Sequence, residues 1–250
     1  MHSKKTTVSS ASFAKNIVVA HRGAWKKNKL PENSIASLKE AIRLGCAGSE
    51  FDVFLTADDS LVINHDADYA GLSIEKNTYG ELAKTKLSNG EILPTLYNYL
   101  QTGIQQHKTM LVLEIKPSAI NRERGQYVAQ KVVEMVKQLK AQPWIMYISF
   151  DYNILTRVLE LEPGAKTAYL YGDKTPAQLA ADRIWGADYH YDIFKKNSSW
   201  IAEAQKIKLN LNTWTVNKEA DMEWFINNKF DYITTNEPEL LFDLINKAGK

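Results

Sequence analysis

Short runs of apolar, β-branched and aromatic residues alternate along the chain with longer stretches whose apolar positions recur at spacings of three and four. The short runs predict strands over residues 17–21, 49–55, 110–116, 145–150, 167–170, 187–191, 209–216 and 232–235, and every interval between them has room for a helix. Ile35, Leu38 and Ile42 share one helical face, which Asn33 would cap and Gly45 would stop. Val128, Val132, Met135 and Leu139 line a second face within residues 123–141. Asp151 would open a third helix through Leu155, Val158 and Leu159, and Leu240, Leu241, Leu244 and Ile245 mark the closing one. Eight strand-plus-helix units in 250 residues fit a TIM (β/α)8 barrel. The alternative is an open doubly wound sheet, but no glycine-rich dinucleotide loop follows the first strand.

One interval breaks the alternation. Residues 61–65 follow the second strand too closely for a helical crossover, so the pair reads as an antiparallel hairpin extending that strand. With Asp58 and Asp59 as the two central turn residues, Thr56 would pair with Leu61, Phe54 with Ile63 and Asp52 with His65.

Composition removes several classes of function. The charge of +2, from 31 Lys and Arg against 29 Asp and Glu, is too balanced to announce a nucleic-acid partner. Cys46 is alone, so no internal disulfide forms, and no apolar run approaches the roughly 18 residues of a membrane helix. Residues 1–15 read as a loose polar tail before a single domain over 16–250. The expected protein is soluble: cytoplasmic as written, or exported if a signal peptide once preceded it.

Working residues of such barrels gather at the C-terminal ends of the strands. There the chain carries charge within otherwise buried segments: His21-Arg22 after the first strand, Glu50 and Asp52 on one face of the second, and Glu114 and Lys116 on one face of the third. Three converging carboxylates repel one another unless a cation or proton intervenes. Their oxygen donors favour a hard ion, Mg2+ or Ca2+. His21 and His65 make a candidate acid/base pair, and Arg22 and Lys116 supply positive charge suited to phosphate. Trp214 on the seventh strand is either core or a wall for the substrate, with its strand-end position favouring the wall. His190 is a weaker candidate for the pocket lining. A metal, a phosphate clamp and two proton carriers together describe phosphoester cleavage.

The ordered set His21-Arg22-Gly23, Pro31-Glu32-Asn33-Ser34, Glu50-Phe51-Asp52, Leu55-Thr56 with Asp58, Val62 to Asp66, Leu93 to Leu96, Glu114-Ile115-Lys116 and Trp214 to Asn217 resembles the glycerophosphodiester phosphodiesterase family. The resemblance implies a TIM barrel that cleaves glycerophosphodiesters into sn-glycerol 3-phosphate and an alcohol with a divalent cation. It implies metal ligands Glu50, Asp52 and Glu114, acid/base residues His21 and His65, and phosphate contacts from Arg22 and Lys116. Residues 66–92 would be a small insertion capping the site, with Thr78 to Leu82 as a short helix start. Water and the polyol's own hydroxyl both stay open as nucleophile. Two departures stand out: Asp58-Asp59 replaces the usual Asp-Gly, and Asn236 stands where the family generally has Asp. Both are expected to affect the rim rather than the chemistry. A preference for lysophospholipids or another polyol phosphodiester is the first rival, with Tyr69, Trp185, Tyr189, Tyr191, Phe194 and Trp214 available for a wider apolar mouth. A barrel that only binds a polyol phosphate is the second.

Overall fold

The computed structural model describes residues 13–248. From the start of that span, β1 (Val18–Ala20) leads through α1 (Ile35–Leu44) to β2 (Gly48–Leu55) and its hairpin partner β3 (Leu61–Ile63). A two-stranded ribbon of β4 (Asp68–Tyr69) and β5 (Leu72–Ser73) follows, then α2 (Tyr79–Leu82) and α3 (Leu96–Gly103). The next units are β6 (Met110–Ile115) with α4 (Arg122–Gln138), β7 (Ile145–Ser149) with α5 (Tyr152–Leu161), and β8 (Lys166–Tyr169) with α6 (Pro176–Ala181). The last are β9 (Gly186–His190) with α7 (Tyr191–Lys196) and α8 (Ser199–Ile207), β10 (Asn210–Trp214) with α9 (Glu219–Asn227), and β11 (Tyr232–Thr235) with α10 (Pro238–Ala248). Strands β1, β2, β6, β7, β8, β9, β10 and β11 are parallel neighbours in that order, and β11 pairs back onto β1. The sheet is therefore closed into a TIM barrel, with all eight predicted strands in it.

Alternation along each strand sends one set of side chains inward and the other toward the helices. Val19, Met110, Val112, Met146, Ile148, Ala168 and Leu170 fill the interior. Phe13, Trp185 and Tyr232 pack against this core from the strands' N-terminal ends, Phe150 and Trp214 from the C-terminal ends. The outward set meets the helices in two larger clusters, one including Leu155, Leu211, Phe225 and Leu241, the other Leu38, Phe51, Leu113 and Val132. Each such fully buried side chain contributes about 1.5–3 kcal/mol. Of the segment read as a tail, residues 1–12, His2 included, lie outside the described residues, while Ala14 N donates to Lys108 O at 2.7 Å. Among the described residues no helix is long and apolar enough to cross a membrane.

The hairpin forms in a register one residue away from the predicted one. Val53 pairs with Ile63, Phe54 with Val62 and Leu55 with Leu61. Residues 57–59 make the loop, closed by Thr56 N donating to Ser60 O at 2.9 Å. Three-residue loops of this kind put their last residue in the left-handed region, and Asp59 is there at φ +59°. Asp59 occupies the family's glycine position at the cost of backbone strain, which ties to Arg124 Nη1 (2.9 Å) and Tyr127 Oη (2.8 Å) offset. Asn64 N, rather than His65, therefore sits across from Asp52, donating to its backbone O at 3.1 Å.

The segment after the hairpin packs on it through a small core of Phe54, Val62, Ile74, Leu82 and Leu93. Thr78 caps α2 and Glu81 completes the capping box, as the short helix start implied. Asp58 accepts from Tyr79 N at 2.9 Å, joining the hairpin tip to α2. Glu75 accepts from Ser118 Oγ at 2.6 Å and Ala119 N at 2.8 Å, which fixes the loop just after Lys116.

Candidate active site

The inward set at the C-terminal end of the barrel is acidic on one side. Glu50 and Asp52 project from β2 and Glu114 from β6, whose register sets Asp52 beside Glu114. One carboxylate oxygen of each lies within 4.8 Å of the other two, and all three residues are buried. Lys116 Nζ stands 3.2 Å from Asp52 Oδ1 and 2.9 Å from Glu114 Oε1. Burial, reinforced by the charges of Asp52 and Glu114, pushes the Glu50 carboxyl well above the usual carboxylate range. Burial and then Asp52 push Glu114 up to about 8. Burial works the same way on Asp52, but Lys116, His65 and a hydrogen bond from Asn33 outweigh it and hold this carboxyl low. Lys116 offsets Glu114 and Arg22 offsets Glu50 only in part, so one carboxyl is held low and two stay raised.

The turn after β1 explains His21-Arg22-Gly23. Arg22 and Gly23 both have left-handed backbones, at φ +56° and +80°. A Cβ on Gly23 would lie 2.4 Å from Ser37 Oγ, so the close approach of α1 leaves room for glycine alone. The reversal lets Arg22 N donate to Glu50 Oε2 at 2.8 Å, while Arg22 Nη1 donates to Glu32 Oε1 at 2.8 Å. Arg22 Nε is 3.9 Å from Asp52 Oδ2, buried and without a hydrogen-bond partner.

Asn33 does not cap α1. Ser34 does, accepting from Ser37 N. Asn33, at φ +54°, instead donates from Nδ2 to Asp52 Oδ2 at 2.8 Å and accepts from Asp52 N at 3.2 Å. It orients the very carboxylate that stays ionised. Periodicity alone assigns it to the helix terminus, because the left-handed turn that frees it depends on the fold.

His21 Nδ1 lies 2.8 Å from Asn236 Oδ1, and its Nε2 lies 3.9 Å from Glu50 Oε2. Burial, and after it the Arg22 charge, bring the imidazole down to about 4, against the opposing Asn236 bond. His65 Nδ1 lies 2.7 Å from Asp66 Oδ1, and its ring is about a third exposed. Both imidazoles line a cavity of about 120 Å³, together with Arg22, Glu50, Glu114 and Lys116. Its other wall is Ile148, Phe150, Leu170, Asp188, Trp214, Thr215 and Thr234.

Residues 21–240 match the Glycerophosphoryl diester phosphodiesterase family. The chain belongs to that family. It is 32% identical to the glycerophosphodiester phosphodiesterase of Caldanaerobacter subterraneus, over 94% of this chain and 100% of that protein. The crystal structure of a glycerophosphodiester phosphodiesterase from Parabacteroides distasonis superposes with a TM-score of 0.91 at 37% identity, covering 96% of this chain and 100% of the other. An Oleispira antarctica phosphodiesterase, solved in complex with the product sn-glycerol-3-phosphate, shares the fold with a TM-score of 0.75 at 23% identity, over 92% and 97% of the two chains. The chain is an enzyme of this phosphodiesterase family.

Asn236 reaches past the rim to the cavity: its amide oxygen meets Nδ1 of the cavity-lining His21 without adding a negative charge. His190 is not in the cavity wall: its ring accepts from Asp192 N at 3.3 Å at the start of α7 and meets Trp214 edge-on at 5.2 Å. Of the six aromatics that could have widened the mouth, only Trp214 lines the cavity. Tyr189 and Phe194 are wholly buried between strands and helices, with Tyr191 packed against the same layer, and Trp185 packs at the opposite barrel end. Tyr69 packs on the small core beneath the hairpin. Phe150, Leu170 and Asp188 are cavity residues that the sequence reading passed over. Their inward direction follows from strand register, and the first two look like ordinary core positions along the chain.

Proposed function

We propose that this enzyme hydrolyses glycerophosphodiesters to sn-glycerol 3-phosphate and an alcohol, using a hard divalent cation, Mg2+ or Ca2+, and a histidine pair. The observation that carries the reading is the cluster of three buried carboxylates, two of them driven toward the protonated form by burial and mutual repulsion. Such a group has the charge and the all-oxygen donor set of a hard-cation site, and the residues present fit it. Glu50, Asp52 and Glu114 would hold the ion, which when bound supplies positive charge against the charge that builds on the phosphate oxygens.

The protein's own groups do the rest. Arg22 Nε, a buried donor with no partner, and Lys116 Nζ are the cationic donors for phosphate oxygens. The Nδ1 atoms of His21 and His65 are engaged by Asn236 and Asp66, which leaves each Nε2 to take or give a proton at the reacting centre. Trp214 would wall the polyol, and residues 16–250 would act as one domain with 66–92 as its cap. A cavity of about 120 Å³ whose wall carries two large aromatics, Phe150 and Trp214, suits a small polyol better than an acyl-bearing lysolipid.

The test is turnover after cation removal. Protein stripped with a chelator and resupplied with Mg2+ or Ca2+ should release sn-glycerol 3-phosphate from glycerophosphocholine and glycerophosphoethanolamine, and the stripped protein should not. Release only from lysophospholipid would shift the reading to the lipid-directed alternative. Full activity in chelator would remove the cation from it.

A further inference from the structure

Opposite the acidic cluster, the inward residues of β9, β10 and β11 are polar where a barrel interior is ordinarily apolar: Asp188, Asn212 and Thr234. Register sets Asp188 directly beside Asn212. The pairing of Ala168 with Gly186 sets Leu170 on the other side of Asp188. Asp188 is 1% exposed, yet it lines the cavity. Neither its Oδ1 nor Nδ2 of Asn212 has a hydrogen-bond partner of full geometry. The Asn212 amide is held in one orientation, since its Oδ1 accepts from Thr213 N at 2.8 Å and Thr234 Oγ1 at 3.3 Å. The Trp214 ring is tied to the same place by Nε1 donating to the backbone O of Asp188 at 2.9 Å.

A buried carboxyl and amide whose hydrogen bonds are left incomplete destabilise a fold. The phosphate and proton chemistry described above uses neither. Burial pushes the Asp188 carboxyl up to about 8, against the weaker opposing pull of a hydrogen bond from the Asn212 amide, so near neutrality the group is largely an uncharged acid with a further hydrogen bond to give. An ammonium group would require the ionised form that burial opposes, and an acyl chain would leave the oxygen as unpaired as before. A hydroxyl takes that bond and has one of its own to give.

We propose that Asp188 is a specificity-determining residue that binds a free hydroxyl of the polyol phosphate in the cavity, with the Asn212 amide completing the hydroxyl's hydrogen bonds. The proposal rests on the polyol-phosphodiester reading above and names the group that recognises the polyol. A site built to bond a hydroxyl rejects an analogue that lacks it, because the site's own buried groups then stay unpaired. Substrates whose polyol hydroxyls are missing or esterified are therefore discriminated against at the cavity floor.

The experiment is calorimetric titration of the cation-loaded protein with sn-glycerol 3-phosphate and with propyl phosphate, which lacks both hydroxyls. Wild type should bind the former about 10-fold or more tightly. Asp188→Leu should cut that preference to about 3-fold or less while leaving propyl phosphate affinity within about 2-fold, and Asp188→Asn, which keeps a donor and an acceptor, should retain most of the preference. Removing a buried acid whose hydrogen bonds are incomplete should leave the melting temperature of Asp188→Leu at or above that of wild type at pH 7. Should the leucine variant fail to fold, the same ratio is read from Asp188→Ala. An unchanged preference in the folded leucine or alanine variant, an equal loss of both ligands, or no preference in wild type would overturn the proposal. A preference that depends on Asp188 in a protein that turns over no diester would instead leave this proposal standing and refute the hydrolytic reading.

Discussion

Replacing either His21 or His65 with alanine is expected to lower turnover of glycerophosphocholine by about 10² or more while the protein keeps its fold. The two rings follow β1 and β3 at the cavity, outside the packed interior of Val19, Val112, Met146 and Ile148, so truncation removes a proposed proton carrier without opening a hole in the core. Their surroundings differ. His21 is held by the neutral Asn236 amide, and His65 by the Asp66 carboxylate. A loss confined to kcat in both variants, with an unchanged thermal transition, would fit two proton carriers acting on one bound phosphodiester. Unchanged turnover in either variant would remove that ring from the chemistry.

The second large effect concerns the cation site and its response to pH. In the cation-free protein Glu50 and Glu114 have folded-state pKa values above their ordinary ones, Glu114 at about 8. The folded state then binds more protons than the unfolded state between about pH 4.5 and pH 8, so stability is fully present below that window and is lost as pH rises through it. Mg2+ or Ca2+ should reverse this, because ionised carboxylates are what the ion binds. The rise in melting temperature on adding saturating cation should accordingly be larger at pH 8 than at pH 5. Glu50→Gln removes one repelling charge and one proposed ligand. It should flatten the alkaline decline of the cation-free protein, shrink the cation-induced gain, and raise the cation concentration for half-maximal activity by about 10-fold or more. Scanning calorimetry at both pH values, with and without cation, checks the first two effects, and an activity titration checks the third. A cation-induced gain that is the same at pH 5 and pH 8 would contradict the carboxylate assignment.

The barrel was legible because its signals are local. Alternation in β2 and β6 put Glu50, Asp52, Glu114 and Lys116 on inward faces near strand ends, and helical spacing filled the intervals. What escaped depends on backbone reversals and on register between distant strands. Asn33 looks like a helix cap until the left-handed turn at Arg22 and Gly23 carries it to Asp52. The hairpin register differs by one because the loop takes three residues, 57–59, with Asp59 alone of the two aspartates left-handed, where a two-residue turn needs Asp58 left-handed as well. Asn236 and Asp188 became site residues through the closure of β11 on β1 and the pairing of β9 with β10, neither of which a local pattern encodes.

Anomalous diffraction from crystals soaked in Mn2+, as a stand-in for Mg2+ or Ca2+, tests the central claim most directly. The expected result is a single peak among the carboxylates of Glu50, Asp52 and Glu114, about 2.0–2.6 Å from an oxygen of each, with both imidazoles facing the cavity beside it. A peak elsewhere, or none among these three at a concentration that supports turnover, would contradict it.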